Sequence, residues 1–182
     1  YFFNMQSFRY TQDTIDAELK KSKEDFILHF RSAYTDDYPP AWMIAEILPL
    51  GLLCRIYTNL KDNVIKKRVA QHFGLQVPVF SSWIVILAGL RNMCCHHCRT
   101  WNRELATITT EPRRTKFGWI DSSRTDKRRM YYRICMIRYF LYTVSPNNNF
   151  KDKLKTLLAA YPNIDTAAMG FPSDWESEDI WK

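Results

Sequence analysis

Apolar residues recur along this chain at intervals of three and four and nowhere alternate with polar ones over a strand's length, so helical spacing governs it throughout. From Asp13 to about Tyr34, Ile15, Leu19, Phe26, Phe30 and Tyr34 mark one amphipathic helix, ended by Tyr38-Pro39-Pro40. A second helical region runs from Ala41 to Leu60, with Pro49 and Gly51 splitting or kinking it. Asp62 has the chemistry to cap a short helix carrying Ile65 and Val69, with Gly74 just past its end. Val77-Pro78-Val79 reads as a connector, after which Ser81 or Ser82 caps the longest helix, about Trp83 to Leu105. Thr107 to Ser123 reads as a loop broken by Pro112 and Gly118. From Thr125 to about Val144, the stripe Met130, Ile134, Ile137, Leu141 and Val144 predicts another amphipathic helix, stopped by Ser145-Pro146. Asn149 opens a last helix bearing Leu154, Leu157, Leu158 and Tyr161, closed by Pro162, and the tail from Met169 is irregular. With no internal repeat and no low-complexity linker, the pattern predicts an all-α bundle forming a single domain over 1–182.

Composition narrows this picture. A chain of 182 residues, 46% hydrophobic and 25% charged, has the balance of an ordinary globular domain and can bury a sizeable core. It opens on Tyr1 rather than Met, which predicts the C-terminal part of a longer polypeptide. The five cysteines (Cys54, Cys94, Cys95, Cys98 and Cys135) are odd in number, and three are crowded together. That argues against a disulfide framework and for a reducing cytoplasm. The apolar stretch Ile84 to Leu90 is too short to cross a bilayer, so no membrane association is expected. The net charge of +7 is uneven: nine basic residues from Arg113 to Arg138 face only Asp121 and Asp126, while Asp174, Glu176, Glu178 and Asp179 crowd the end. A basic middle suggests a polyanionic partner. A charge run alone is more simply a solvated face.

Residues 91 to 105 carry the chemistry. Arg91, Asn92, His96, His97, Arg99, Asn102 and Arg103 lie within one predicted helix. At about 100° per residue, Leu87, Leu90, Cys94, Cys98, Trp101 and Leu105 form an apolar face, with Trp101 in the core. Asn92, His96, Arg99 and Arg103 form a second stripe roughly opposite. Arg91 falls outside that stripe, so a long reach or a helix distortion has to bring it to His96. Histidine and asparagine are weaker helix formers than the Glu, Lys and Gln of a merely solvated face.

Three readings stand. In the first, a histidine moves the proton of an RNA 2′-hydroxyl or of the leaving 5′-oxygen, while an arginine holds the phosphate. No metal or other cofactor is required, and two copies of the site across a homodimer supply acid and base together. In the second, Cys94, His97 and Cys98, with Cys54 or Cys135, hold a structural zinc ion, although one contiguous run lacks the paired spacing of most zinc sites. In the third, the histidines and cysteines are structural alone.

The residues Leu90-Arg91-Asn92, Cys95-His96-His97, Arg99 and Trp101-Asn102-Arg103 closely resemble the signature of the abortive-infection (Abi_2) family of bacterial phage-defence proteins. Pro40, Trp42-Met43, Glu46 and Gly51, then Ser82-Trp83, and finally Met169-Gly170-Phe171-Pro172 with Trp175, are similar to it as well, so the resemblance runs from about Pro40 to the end. Cys95 stands where the family signature has alanine. The resemblance implies a HEPN-like helical bundle, of a superfamily whose ribonuclease members carry an arginine and a following histidine with four to six residues between them. Arg91 to His96 fits the shortest such spacing and Arg91 to His97 the next, so either histidine is a candidate. The same resemblance implies a metal-independent endoribonuclease of the toxin type that halts growth on infection. Arg91 then serves on the phosphate, His96 as acid or base, and Asn92 as orienting group, with His97, Arg99, Asn102 and Arg103 in support. Arg113, Arg114, Lys116, Arg124, Arg128, Arg129 and Arg133 are expected to hold the RNA backbone. A homodimer is expected, and an antitoxin or inhibitory RNA is open as a further partner. The alternative is a helical RNA-binding or toxin-regulating module with an inert motif.

Overall fold

Eight α-helices and three short 3-10 turns make up the computed structural model, which describes residues 2–182. The only β pairing among the described residues is one isolated bridge between Phe2 and Leu60, so the fold class is all-α as the spacing predicts. The helices are α1 (Met5–Lys21), α2 (Asp25–Ala33), α3 (Ala41–Ile47), α4 (Leu50–Asn59), α5 (Asn63–His72), α6 (Val77–Cys95), α7 (Met130–Val144) and α8 (Phe150–Ala160). The chain divides into two compact units, one up to Lys66 and one from Lys67 to Lys182.

In the first unit, α1 packs on α3 and α4. Asn4 caps α1, its side chain accepting from the Ser7 N–H at 2.9 Å. Asn59, the last residue of α4, holds Asn4 in both directions: its Oδ1 accepts from the Asn4 N–H (2.9 Å) and its Nδ2 donates to the Asn4 carbonyl (3.0 Å). Ile27, Phe30, Leu48, Leu52 and Tyr57 are buried. The single helix expected over Asp13 to Tyr34 is two. α1 stops because Ser22 turns extended, and its hydroxyl accepts from the Glu24 N–H, a local bond that competes with helix continuation. The break predicted at Pro49 and the cap predicted at Asp62 are both present. Asp62 accepts from the Val64 and Ile65 N–H groups at 2.7 and 3.2 Å.

The second unit is built round α7. Tyr131, Tyr132, Cys135, Met136 and Tyr139 are fully buried, while Val144, placed by periodicity on the apolar stripe, is 63% exposed. α7 is thus covered on more faces than a simple amphipathic helix, and its buried side is aromatic. Trp83 of α6 meets Trp119 at 4.7 Å and Tyr139 edge-on at 5.4 Å, and Phe73 and Phe80 both meet Phe140 edge-on. The irregular tail supplies part of this cover: Trp181 is buried and donates its indole N–H to the Tyr131 hydroxyl at 3.1 Å. Burial pushes the Tyr131 phenol and the Cys135 thiol well above their ordinary values, so both are neutral at any physiological pH.

α6 starts earlier than the sequence suggests. Pro78 is in its first turn, where a missing N–H costs nothing, so Val77-Pro78-Val79 is helix rather than connector. Ser82 does not cap; its hydroxyl accepts from the Thr110 N–H (3.1 Å), and Trp83 donates to the Thr110 carbonyl (3.0 Å), fastening the long loop to the helix. The whole helix has 19 residues, long and apolar enough by composition to cross a membrane, where Ile84 to Leu90 alone is too short. A core helix passes the same test, and Trp83, Ile86, Ala88 and Leu90 are buried.

Candidate active site

α6 ends at Cys95, ten residues short of the predicted Leu105. His96 is its C-cap, with φ −93° and ψ 16°. His97 comes next with φ 52°, in the left-handed region. The Cys98 N–H then bonds back to the Met93 carbonyl (2.9 Å) and the His97 N–H to the Cys94 carbonyl (3.1 Å). This pair of reversed bonds is the Schellman closure, which satisfies carbonyls the helix end would otherwise orphan. His97 occupies the position that such closures ordinarily give to glycine. A non-glycine side chain in this region costs of order 1 kcal/mol.

Because the helix stops, the stripe predicted from Asn92 through His96 and Arg99 to Arg103 does not exist as a helix face. Only Arg91 and Asn92 stand on the last turns, and both are exposed. The Arg91 Nη1 donates to the Asn92 Oδ1 at 3.3 Å. His96 and His97 sit at the turn, both exposed, and the chain continues through exposed Arg99, Trp101, Asn102 and Arg103 without regular structure. Asn102 is again left-handed (φ 44°), a conformation asparagine tolerates better than most residues. Trp101 is 46% exposed, so it is not the core residue that a continuous helix makes it. The apolar face also dissolves: Leu90 and Leu105 are buried, but Cys94 and Cys98 are exposed. Periodicity gives no warning of this stop, because no Gly or Pro marks it. The adjacent histidines, weak helix formers, are the one local signal.

The loop after the turn is tied down at Leu105, whose N–H bonds to the Arg128 carbonyl at 2.8 Å, while Glu104 pairs with the Arg128 guanidinium at 2.7 Å. No carboxylate occurs from Arg91 to Arg103, so the polar groups of the turn are cationic or neutral. The zinc arrangement loses its basis. Cys94 and Cys98 no longer share a helix face with His97, and among the described residues no group of three or more His, Cys, Asp or Glu side chains is placed to hold a metal ion.

The basic run sorts into three kinds. Arg133 is 1% exposed and gives its Nη2 to the Thr107 carbonyl; burial pulls its pKa down, and it offers no surface charge to a phosphate. Arg124, Lys127, Arg128 and Arg129 are paired with Asp174, Glu111, Glu104 and Asp126 respectively. The Arg124 partnership holds the Asp174 carboxyl below the usual carboxylate range. Arg113, Arg114 and Lys116 are exposed and have no ion pair among the described residues.

A family model described as "Abi-like protein" matches residues 2–102, more than half of the chain. The chain belongs to this family. The match takes in all four helices of the first unit, α5, α6 and the turn as far as Asn102, and so includes Arg91, Asn92, His96 and His97. It starts well ahead of Pro40 and leaves out Arg103, the basic loop and the Met169 to Trp175 segment. Among curated proteins and among solved structures, nothing matches. In this Abi-like protein, therefore, the turn at the end of α6 lies at the C-terminal limit of the shared region.

Proposed function

We propose that this Abi-like protein is an abortive-infection effector of the HEPN superfamily that cleaves RNA without a metal, using the turn that closes α6. The observation that carries the reading is the exposure of Arg91, Asn92, His96 and His97 at one helix terminus within the family's matched region. An arginine, an amide and two imidazoles, open to solvent in a segment that holds no carboxylate from Arg91 to Arg103, suit a phosphodiester whose nucleophile is its own 2′-hydroxyl.

In the proposed step a histidine, His96 by the four-residue spacing, removes the 2′-hydroxyl proton as the oxygen attacks phosphorus. Arg91 binds the non-bridging oxygens and offsets the charge that builds in the pentacoordinate transition state. Asn92 orients the guanidinium through the bond its Oδ1 accepts. The P–O5′ bond breaks, and a second imidazole donates the proton to the leaving 5′-oxygen. The products are a 2′,3′-cyclic phosphate and a 5′-hydroxyl. One histidine cannot be base and acid in the same step, so a second copy of the chain supplies the partner imidazole in a homodimer. His97, Arg99, Asn102 and Arg103 are the supporting groups.

The test is cleavage of end-labelled single-stranded RNA in the presence of chelator. Wild type should cut and leave cyclic phosphate ends; His96→Ala and Arg91→Ala should fall by about two orders of magnitude or more, with unchanged helical circular dichroism. Full activity in His96→Ala moves the role to His97. A wild-type protein that binds RNA tightly and never cuts it is the inert binding module instead.

A further inference from the structure

We infer that a cavity at the far end of α6 is a binding pocket for the phosphate of a nucleotide, carried by Lys67, Arg114 and Lys116. Its volume is about 720 Å³, within the range of small-ligand sites, and it opens to solvent between the last turns of α5, the first turn of α6 and the loop at 114–116. Three of its lining residues are cationic, and none is acidic. Lys67 and Arg114 make no side-chain hydrogen bond and no ion pair among the described residues, and the Lys116 ammonium has only the Phe117 ring, at 5.2 Å. The contrast with Arg124, Lys127, Arg128 and Arg129 is direct: that part of the basic run is neutralised by carboxylates within the chain, and this part is not. Unpaired positive charge converging on a concavity is stabilised by an anion from outside.

The pocket is also fixed in shape. The buried Tyr139 hydroxyl accepts from the Lys116 N–H (3.1 Å) and donates to the Gly74 carbonyl (3.4 Å), pinning two walls to one another. Gln76, on a third side, donates its amide to the Arg114 carbonyl at 3.1 Å, which holds that residue at the rim. The floor is apolar, with Leu75, Val77 and Pro78. Cations and the Gln71 amide beside apolar lining residues together suit a phosphate and the nucleoside attached to it. A 19-residue helix spans about 28 Å, so the pocket is remote from Arg91 and His96 and stands independently of the cleavage reading.

Binding of two probes by fluorescence anisotropy tests this: a labelled nucleoside triphosphate and a labelled single-stranded RNA of a dozen nucleotides. Both are measured on the full chain in the His96→Ala/His97→Ala background, so that neither candidate histidine can cut the strand. The double variant Lys67→Glu/Arg114→Glu should weaken binding by at least about tenfold and reduce the salt dependence by about two charges. Lys127→Glu, a paired cation of the same run, should change it little. Loss for both probes marks a general nucleotide pocket; loss for the RNA alone marks a backbone subsite on a strand. Affinity for both probes unchanged in the folded double variant, or lowered equally by Lys127→Glu, overturns the assignment. Cleavage in the His96-containing protein reports separately on the turn.

Discussion

α5 and α6 end in the same backbone motif with opposite side chains. At the end of α5, Leu75 N–H bonds to the Ala70 carbonyl (3.0 Å) and Gly74 N–H to the Gln71 carbonyl (2.9 Å), with Gly74 at φ 66°. At the end of α6 the bonds are the same, and the left-handed residue is His97. Gly74 is doubly required, since a Cβ there would overlap the Lys116 Cβ as well as meet an unfavourable φ. His97 is exposed, so only the backbone objects to it. Gly74 answers to packing and backbone together, whereas His97 holds the same left-handed conformation with no packing requirement. Such strain without a packing reason is common at functional sites.

Substitutions can break this contrast or sharpen it. Gly74→Ala should do the most damage, about 3 kcal/mol from overlap plus φ, seen as a lower urea midpoint. Gly170, which closes the turn Ala167–Met169 at φ 87°, is the intermediate case: an added Cβ would be 2.6 Å from the Arg129 Cβ, and Gly170→Ala should cost about 2 kcal/mol. His97→Gly should go the other way and stabilise by about 1 kcal/mol, raising the thermal midpoint. If His96 is the acting imidazole, His97→Gly keeps most of its RNA cleavage; a loss as deep as that of His96→Ala assigns the chemistry to His97. Asn102→Gly should gain only a few tenths of a kcal/mol, because asparagine already tolerates its φ of 44°. A gain equal to that of His97→Gly would show that the histidine's strain is nothing special.

The same comparison explains what could be read from the sequence. Helix ends that use Pro, Gly or Asp announce themselves, and Pro49, Asp62, Gly74 and Ser145 all lie at or next to true boundaries. The end of α6 does not, because its left-handed residue is the very histidine that draws attention as chemistry. The cluster Arg91, Asn92, His96, His97 was therefore legible as a group of residues, while its geometry, a turn rather than a face, was not. Ser22 ends α1 through a hydroxyl bond that composition does not distinguish from an ordinary polar position. α7 misleads for another reason: a helix covered by both a long loop and a folded tail has no single apolar stripe to find, so Tyr131, Tyr132 and Tyr139 displaced Ile134, Ile137 and Leu141 as its deepest residues. Arg133 looked like surface charge and is instead an internal strut to Thr107.

The sulfur atoms are distributed in a way that has a practical result. Cys54 and Cys135 are buried, whereas Cys94, Cys95 and Cys98, which flank His96 and His97 in the chain, are all exposed. A thiol-directed electrophile added to the folded molecule meets accessible thiols in that segment alone, so alkylation doubles as a reporter of whether anything is seated there.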